Sequence, residues 1–187
     1  MRPAHTPLKL TYEDYLGFPQ DGKRHELIDG EHYVSPSPTS RHQSAAGNLY
    51  LTLGNFVRKH GSGRLFFAPL DVVLSDVDVV EPDLLFISCE RLNILKEAHV
   101  AGAPDLVVEV LSPGSRRVDA ITKRHLYEKF GVAEYWLVDP ELEKIEVYRL
   151  ANGALERQAE LSRERDEHLT SPLFSGLSIS LREIFTP

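Results

Sequence analysis

Apolar residues recur along this chain with two periods, and the switches between them mark out its elements. Residues 10–18 predict a short helix, with Thr11 as N-cap and Glu13 and Asp14 in the first turn, where the helix dipole favours negative charge. Between positions 24 and 34, two alternating runs flank Asp29-Gly30, the strongest short-range signal for a hairpin. Ser35-Pro36-Ser37-Pro38 breaks the pattern. Leu49, Leu53, Phe56 and Val57 then form the apolar stripe of a long helix over 40–60, with Gly61 placed to end it. Strands follow at 65–68, 71–74 and 83–87, with a charged turn at 76–78 and a short helix at 90–95. Residues 105–111 are almost continuously apolar, as in a central strand covered on both faces. A helix over 116–130 closes at Gly131. Next come a strand at 134–138, a turn at Asp139-Pro140, hairpin strands at 144–150 and 154–160, and a last helix at 181–185 expected on a sheet edge. There are no internal repeats. The order describes one α/β domain over 1–187: a mixed β-sheet flanked by helices, with an N-terminal hairpin and a C-terminal β-hairpin extension.

Composition narrows the class. The 187 residues are long enough to bury a core, and 42% hydrophobic and 26% charged content are ordinary for a globular chain. No run of about 18 apolar residues suggests a membrane span, and the N-terminus lacks the apolar segment of a secretory signal. Cys89 is alone, so it forms no internal disulfide, no Cys/His pattern suggests zinc, and nothing near it would activate the thiol. A cytoplasmic location is expected. The net charge of -7 argues against a high-affinity, sequence-reading DNA binder, which needs a basic face. It leaves room for an enzyme whose carboxylates hold Mg²⁺ and whose few basic residues line one cleft.

Glu109 is the most informative position, because it interrupts the apolar run Leu106-Val107-Val108-Glu109-Val110-Leu111. An ionised carboxylate there is costly unless paired, protonated or bound to a metal; the plainer alternative is a strand-end Glu facing solvent or an arginine. Asp83, after Pro82, opens a strand; if that strand neighbours the first, two carboxylates converge across about 4.8 Å. Hard oxygen ligands of this kind suit Mg²⁺ or Mn²⁺. Asp119, Lys123 and Tyr127 fall at i, i+4 and i+8 on one helix face, as a surface ion pair or as a row facing the carboxylates. Glu26 is a fourth candidate ligand or an exposed hairpin carboxylate. His42 and Gln43, in a helix's first turn, can reach such a site or lie on the surface. Arg24, Arg41, Arg116 and Arg117 are candidate phosphate contacts.

Taken together, Arg24-His25-Glu26-Leu27-Ile28-Asp29-Gly30-Glu31, Pro82-Asp83, the run from Gly102 to Pro113, Asp119, Lys123, Tyr127, and the run from Gly131 to Pro140 resemble the Uma2-type family of the PD-(D/E)XK nuclease superfamily. The likeness runs in order from about residue 10 to 150. It implies a restriction-endonuclease-like core with Asp83 and Glu109 as the acidic pair, Glu26 as a further acidic residue, and a divalent metal. The superfamily pattern wants lysine two positions after the Glu, where this chain has Leu111; the family's displaced helix lysine matches Lys123. The expected activity is Mg²⁺-dependent DNA cleavage, by a homodimer if both strands are cut. The rivals are a non-catalytic nucleic-acid-binding protein retaining the fold and a metal-dependent hydrolase of another substrate.

Overall fold

The computed structural model describes residues 8–114, 116 and 118–186. Its largest sheet has six strands in the order β11-β10-β9-β8-β6-β3, built from β3 (Gly63–Phe67), β6 (Leu84–Ser88), β8 (Leu106–Val110), β9 (Glu134–Asp139), β10 (Lys144–Ala151) and β11 (Ala154–Ser162). Only β8 and β9 run parallel; every other neighbouring pair is antiparallel. The 105–111 run is thus a central strand, and all five residues of β8 are buried.

Alternation along β8 decides what each side chain meets. Leu106, Val108 and Val110 face one apolar cluster with Leu84, Phe86 and the stripe Ala45, Leu49, Leu53 and Val57 of α2 (Ser40–His60). Thr39 accepts a hydrogen bond from the His42 amide at the N-terminus of α2, and Gly61 caps the other end. Val107 and Leu111 face a second cluster with Leu85, Leu126, Tyr127 and Tyr135. Glu109 shares their parity and so points to that side.

A second sheet, β2-β1-β5-β4-β7, covers the second cluster. It comprises β1 (Arg24–Ile28), β2 (Glu31–Ser35), β4 (Val72–Ser75), β5 (Asp78–Val80) and β7 (Val100–Ala101). The hairpin β1–β2 turns at Asp29 and Gly30, with φ of 53° and 75°, as the Asp-Gly signal requires. The first helix, α1 (Tyr12–Tyr15), is capped reciprocally by Thr11 and Asp14 and is shorter than expected.

Four expectations need correction. The strands form two main sheets rather than one. Asp78 does not belong to a turn but opens β5; its fully buried carboxylate accepts bonds from the Asp29 amide at 2.7 Å and the Ser75 hydroxyl at 2.8 Å, and pairs with Lys129 at 3.2 Å. The helix expected over 116–130 is a wide π turn, Val118–Lys123, leading into α3 (Arg124–Lys129). The final helix α4 (Leu181–Ile184) packs against α2 in the first cluster rather than on a sheet edge, and the Asn48 side chain bonds the Ile184 carbonyl at 3.1 Å. A short pair, β12 (His168–Leu169) with β13 (Ile179–Ser180), had no pattern in the sequence to announce it. The 90–95 helix is a 3₁₀ turn, Cys89–Ile94.

Candidate active site

Strands β6 and β8 pair with Leu84 opposite Val108, so the register continues to place Asp83 beside Glu109. The Val110 amide bonds Asp83 Oδ2 at 2.7 Å, locking the carboxylate to the neighbouring strand. Arg24 from β1 bonds Oδ1 at 2.8 Å, and His42 Nε2 from the first turn of α2 meets Oδ2 at 3.2 Å. Three elements therefore aim at one carboxylate that is 4% exposed.

Glu109 is 1% exposed and sits among the groups its spacing suggested. The Tyr127 hydroxyl donates to its Oε1 at 2.6 Å and Lys123 Nζ at 3.1 Å. Lys123, itself 2% exposed, also lies 2.7 Å from Glu26 Oε1 and 3.3 Å from Asp119 Oδ1. The i, i+4, i+8 row thus faces inward. Asp119 and Lys123 are carried on the π turn, a rare conformation that recurs at functional positions. Glu26 is buried rather than an exposed hairpin residue, and also accepts the Glu81 amide at 2.9 Å.

Four carboxylates, Glu26, Asp83, Glu109 and Asp119, here face two permanent cations, Lys123 and Arg24. Burial pushes the Glu109 carboxyl up, Lys123 opposes it, and Asp119, Asp83 and Glu26 add to the rise, leaving it at about 8. Burial also acts on Asp83, but His42, Arg24 and the Val110 amide outweigh it and hold that carboxyl at about 2. Burial would neutralise Lys123, yet Glu109, Glu26 and Asp119 raise it well above the usual lysine range. Burial dominates at Glu109, whereas at Lys123 the surrounding carboxylates override it, because the cluster carries more negative charge than its cations offset.

That excess, on hard oxygen donors, fits a divalent cation. Among the described residues no three His, Cys, Asp or Glu side chains stand as a ready-made metal cage. The fit is therefore to a site in which two carboxylates, Asp83 and Glu109, leave the remaining positions to water and phosphate, as is usual for Mg²⁺. Asp83, Asp119 and Lys123 line a cavity of about 570 Å³; Glu109 and Glu26 do not, and lie behind the lysine that bonds both.

The basic residues divide. Arg24 reaches the carboxylates, whereas Arg41 pairs with Glu141 at 3.0 Å and Arg116 with Asp139 at 2.5 Å. Arg117 lies outside the described residues. His42 and Gln43 both line the cavity. Tyr50, Phe67 and Glu81 line it too and went unremarked in the sequence, although Tyr50 follows Gln43 by two helical turns on one face. Cys89 is exposed and free. Among the described residues no helix is long and apolar enough to cross a membrane.

The fold is shared with a crystal structure of a putative nuclease belonging to DUF820 from Anabaena variabilis ATCC 29413. The TM-score is 0.79 at 23% identity, covering 94% of this chain and 97% of that one. No curated protein matches the chain. Restriction-endonuclease-like families generally use divalent metals. The profile of one such family, described as putative restriction endonuclease, matches residues 12–182, and the chain belongs to this Uma2 family.

Proposed function

We propose that the chain is a Mg²⁺- or Mn²⁺-dependent endonuclease that hydrolyses DNA phosphodiester bonds at the Asp83–Glu109–Lys123 cluster. The observation that carries the reading is the convergence, beside a cavity, of a carboxylate just before β6, one within β8 and a helix-borne lysine in a member of a restriction-endonuclease family.

Asp83 and Glu109 would hold the ion, which when bound offsets charge on phosphate and makes attacking water more acidic. His42, Arg24 and the Val110 amide fix the orientation of Asp83. Tyr127 fixes Glu109, and Glu26 with Asp119 holds the Lys123 ammonium in place. Lys123 lines the cavity and stays charged, so it meets the negative charge that develops on a phosphoryl group. Severing both strands of a duplex requires two such sites, which a homodimer would supply.

Plasmid and single-stranded DNA incubated with Mg²⁺ or Mn²⁺ test the reading. Wild type should cut, and Asp83→Asn should lose the activity by about 10²-fold or more. Equal cutting by both overturns it. Binding without cutting by wild type instead favours the non-catalytic reading.

A further inference from the structure

We propose that the apolar half of the cavity beside Asp83 seats an unpaired nucleobase, so that single-stranded DNA is the preferred substrate. The nature of the ligand rests on the nuclease reading; the shape of the seat does not.

Gln43, Ala46, Gly47 and Tyr50 line the cavity at i, i+3, i+4 and i+7, forming one face of α2. Gly47 lies inside a helix of 21 residues, where glycine is a poor choice relative to alanine. A Cβ added there would meet no heavy atom within 4 Å, so packing does not demand the glycine. The missing side chain leaves a flat opening beside Tyr50. Phe67, 58% exposed at the end of edge strand β3, packs edge-to-face on Tyr50 with ring centroids 4.8 Å apart at 69°, so the pair forms a platform with one ring face left open.

A second observation also points to a ligand. His42 lines the same cavity and is 5% exposed; its Nε2 is spent on Asp83, and its buried Nδ1 has no partner. Buried polar atoms are seldom left unsatisfied, so the imidazole has a bond still to make at the inner end of this cavity. An exposed aromatic platform beside a side-chain-free stretch of helix and one polar group is complementary to a nucleobase. Lys23 and Arg24 line the cavity as well, paired with Asp21 at 3.2 Å and with Asp83 at 2.8 Å, and bring positive charge to the side where flanking phosphates would run, next to the carboxylates where cleavage would occur. A base stacked and paired inside a duplex cannot enter such a recess without being extruded, whereas a base on a single strand can.

The test is fluorescence anisotropy in EDTA, using a labelled single-stranded oligodeoxynucleotide, its duplex, and an abasic strand of equal length. Wild type should prefer the base-bearing single strand. Phe67→Ala should weaken that binding by about 5- to 150-fold, the range for loss of one aromatic–base stack. Gly47→Leu should weaken it at least as much. Leu is the better helix former and enters open space, so Tm should not fall, and lost binding would not reflect misfolding. The proposal is overturned if the abasic strand binds equally well or if both variants bind like wild type. It is also overturned if Phe67→Ala changes the sedimenting mass and not the affinity, for the patch would then cover a second copy. Cleavage separates the two readings. Wild type that binds the base-bearing strand but cuts nothing removes the nuclease and keeps the seat. Variants that cut as well as wild type at unchanged KM keep the nuclease and remove the seat.

Discussion

Replacing Lys123 with methionine, Lys123→Met, isolates the physics of the site. The ammonium is within 3.3 Å of three carboxylates, at 2.7 Å from Glu26, 3.1 Å from Glu109 and 3.3 Å from Asp119, and all four side chains are at most 3% exposed. Methionine fills similar volume without charge, so packing is kept while the carboxylates lose their cation. Removing one partner of a buried ion cluster costs about 3–5 kcal/mol, because the charges left behind remain desolvated. At about 2–4 °C per kcal/mol for a chain of this size, Tm should fall by about 6–20 °C near neutral pH. The deficit must also depend on pH. Glu109 is already raised to about 8 in the folded protein, and loss of the lysine raises it further. A carboxyl raised on folding keeps its contribution below its unfolded value, about 4.3, and loses it as pH rises through the folded value. The deficit of Lys123→Met should therefore be level between pH 5 and 7, where Glu109 is protonated in both folded proteins, and should grow above pH 8, where only wild type releases that proton. Urea titrations followed by Trp136, the single and fully buried tryptophan, measure both limits. A loss below about 1 kcal/mol, the scale of a surface pair, or one that does not grow above pH 8, would refute the account.

Other substitutions probe neighbouring groups. Asp83 is held at about 2, so its stabilising contribution is present above about 3.9 and disappears as pH falls toward 2; Asp83→Asn should be less stable at neutral pH and show a flatter acid-denaturation limb. Tyr127→Phe removes the 2.6 Å bond to buried Glu109 and should cost about 1–3 kcal/mol in denaturant unfolding. Gly63 has φ of 158°, and a Cβ there would lie 2.2 Å from the Ile87 carbonyl oxygen; Gly63→Ala should lower stability by about 1–3 kcal/mol in thermal melts, with far-UV spectra of the folded state unchanged.

The parts of the fold visible in the sequence are those where local chemistry and tertiary packing agree. The Asp29-Gly30 hairpin, the α2 stripe and the apolar β8 run are of this kind. Asp78 shows where they part. An aspartate after Asp76-Val77 reads as a turn residue, yet besides the nearby Ser75 its carboxylate joins Asp29 and Lys129, 49 and 51 positions away, which no local window contains. Likewise β12 and β13 have two residues each, too few for any alternation to register. The split into two sheets was equally hidden, because strand patterns give faces but not partners. The Glu26 side chain illustrates the consequence. Its place beside a hairpin turn left a ligand and an exposed carboxylate equally open, and the second sheet folds it onto Lys123.

The site was legible to the extent that burial of charge demands compensation. Glu109 stood out because an apolar strand cannot carry an unpaired carboxylate, and its partners prove to be Lys123 and Tyr127, taken from a helix whose spacing had put them in one row. The same logic explains why lysine need not stand at position 111. Leu111 is 5% exposed, packs in the apolar cluster beside Val107 and Leu137, and its amide bonds the Val138 carbonyl at 2.7 Å. A lysine there would trade that packing for a charge at the strand's end. Electrostatics constrains only where the ammonium lies, not which element carries it. The π turn delivers Lys123 to the space between Glu26 and Glu109, so one cation offsets carboxylates from both sheets and ties the hairpin to the central strand. In this arrangement the groups that would hold a phosphate are also the groups that join the two sheets, and the stability and the chemistry of the site should fail together when Lys123 is removed.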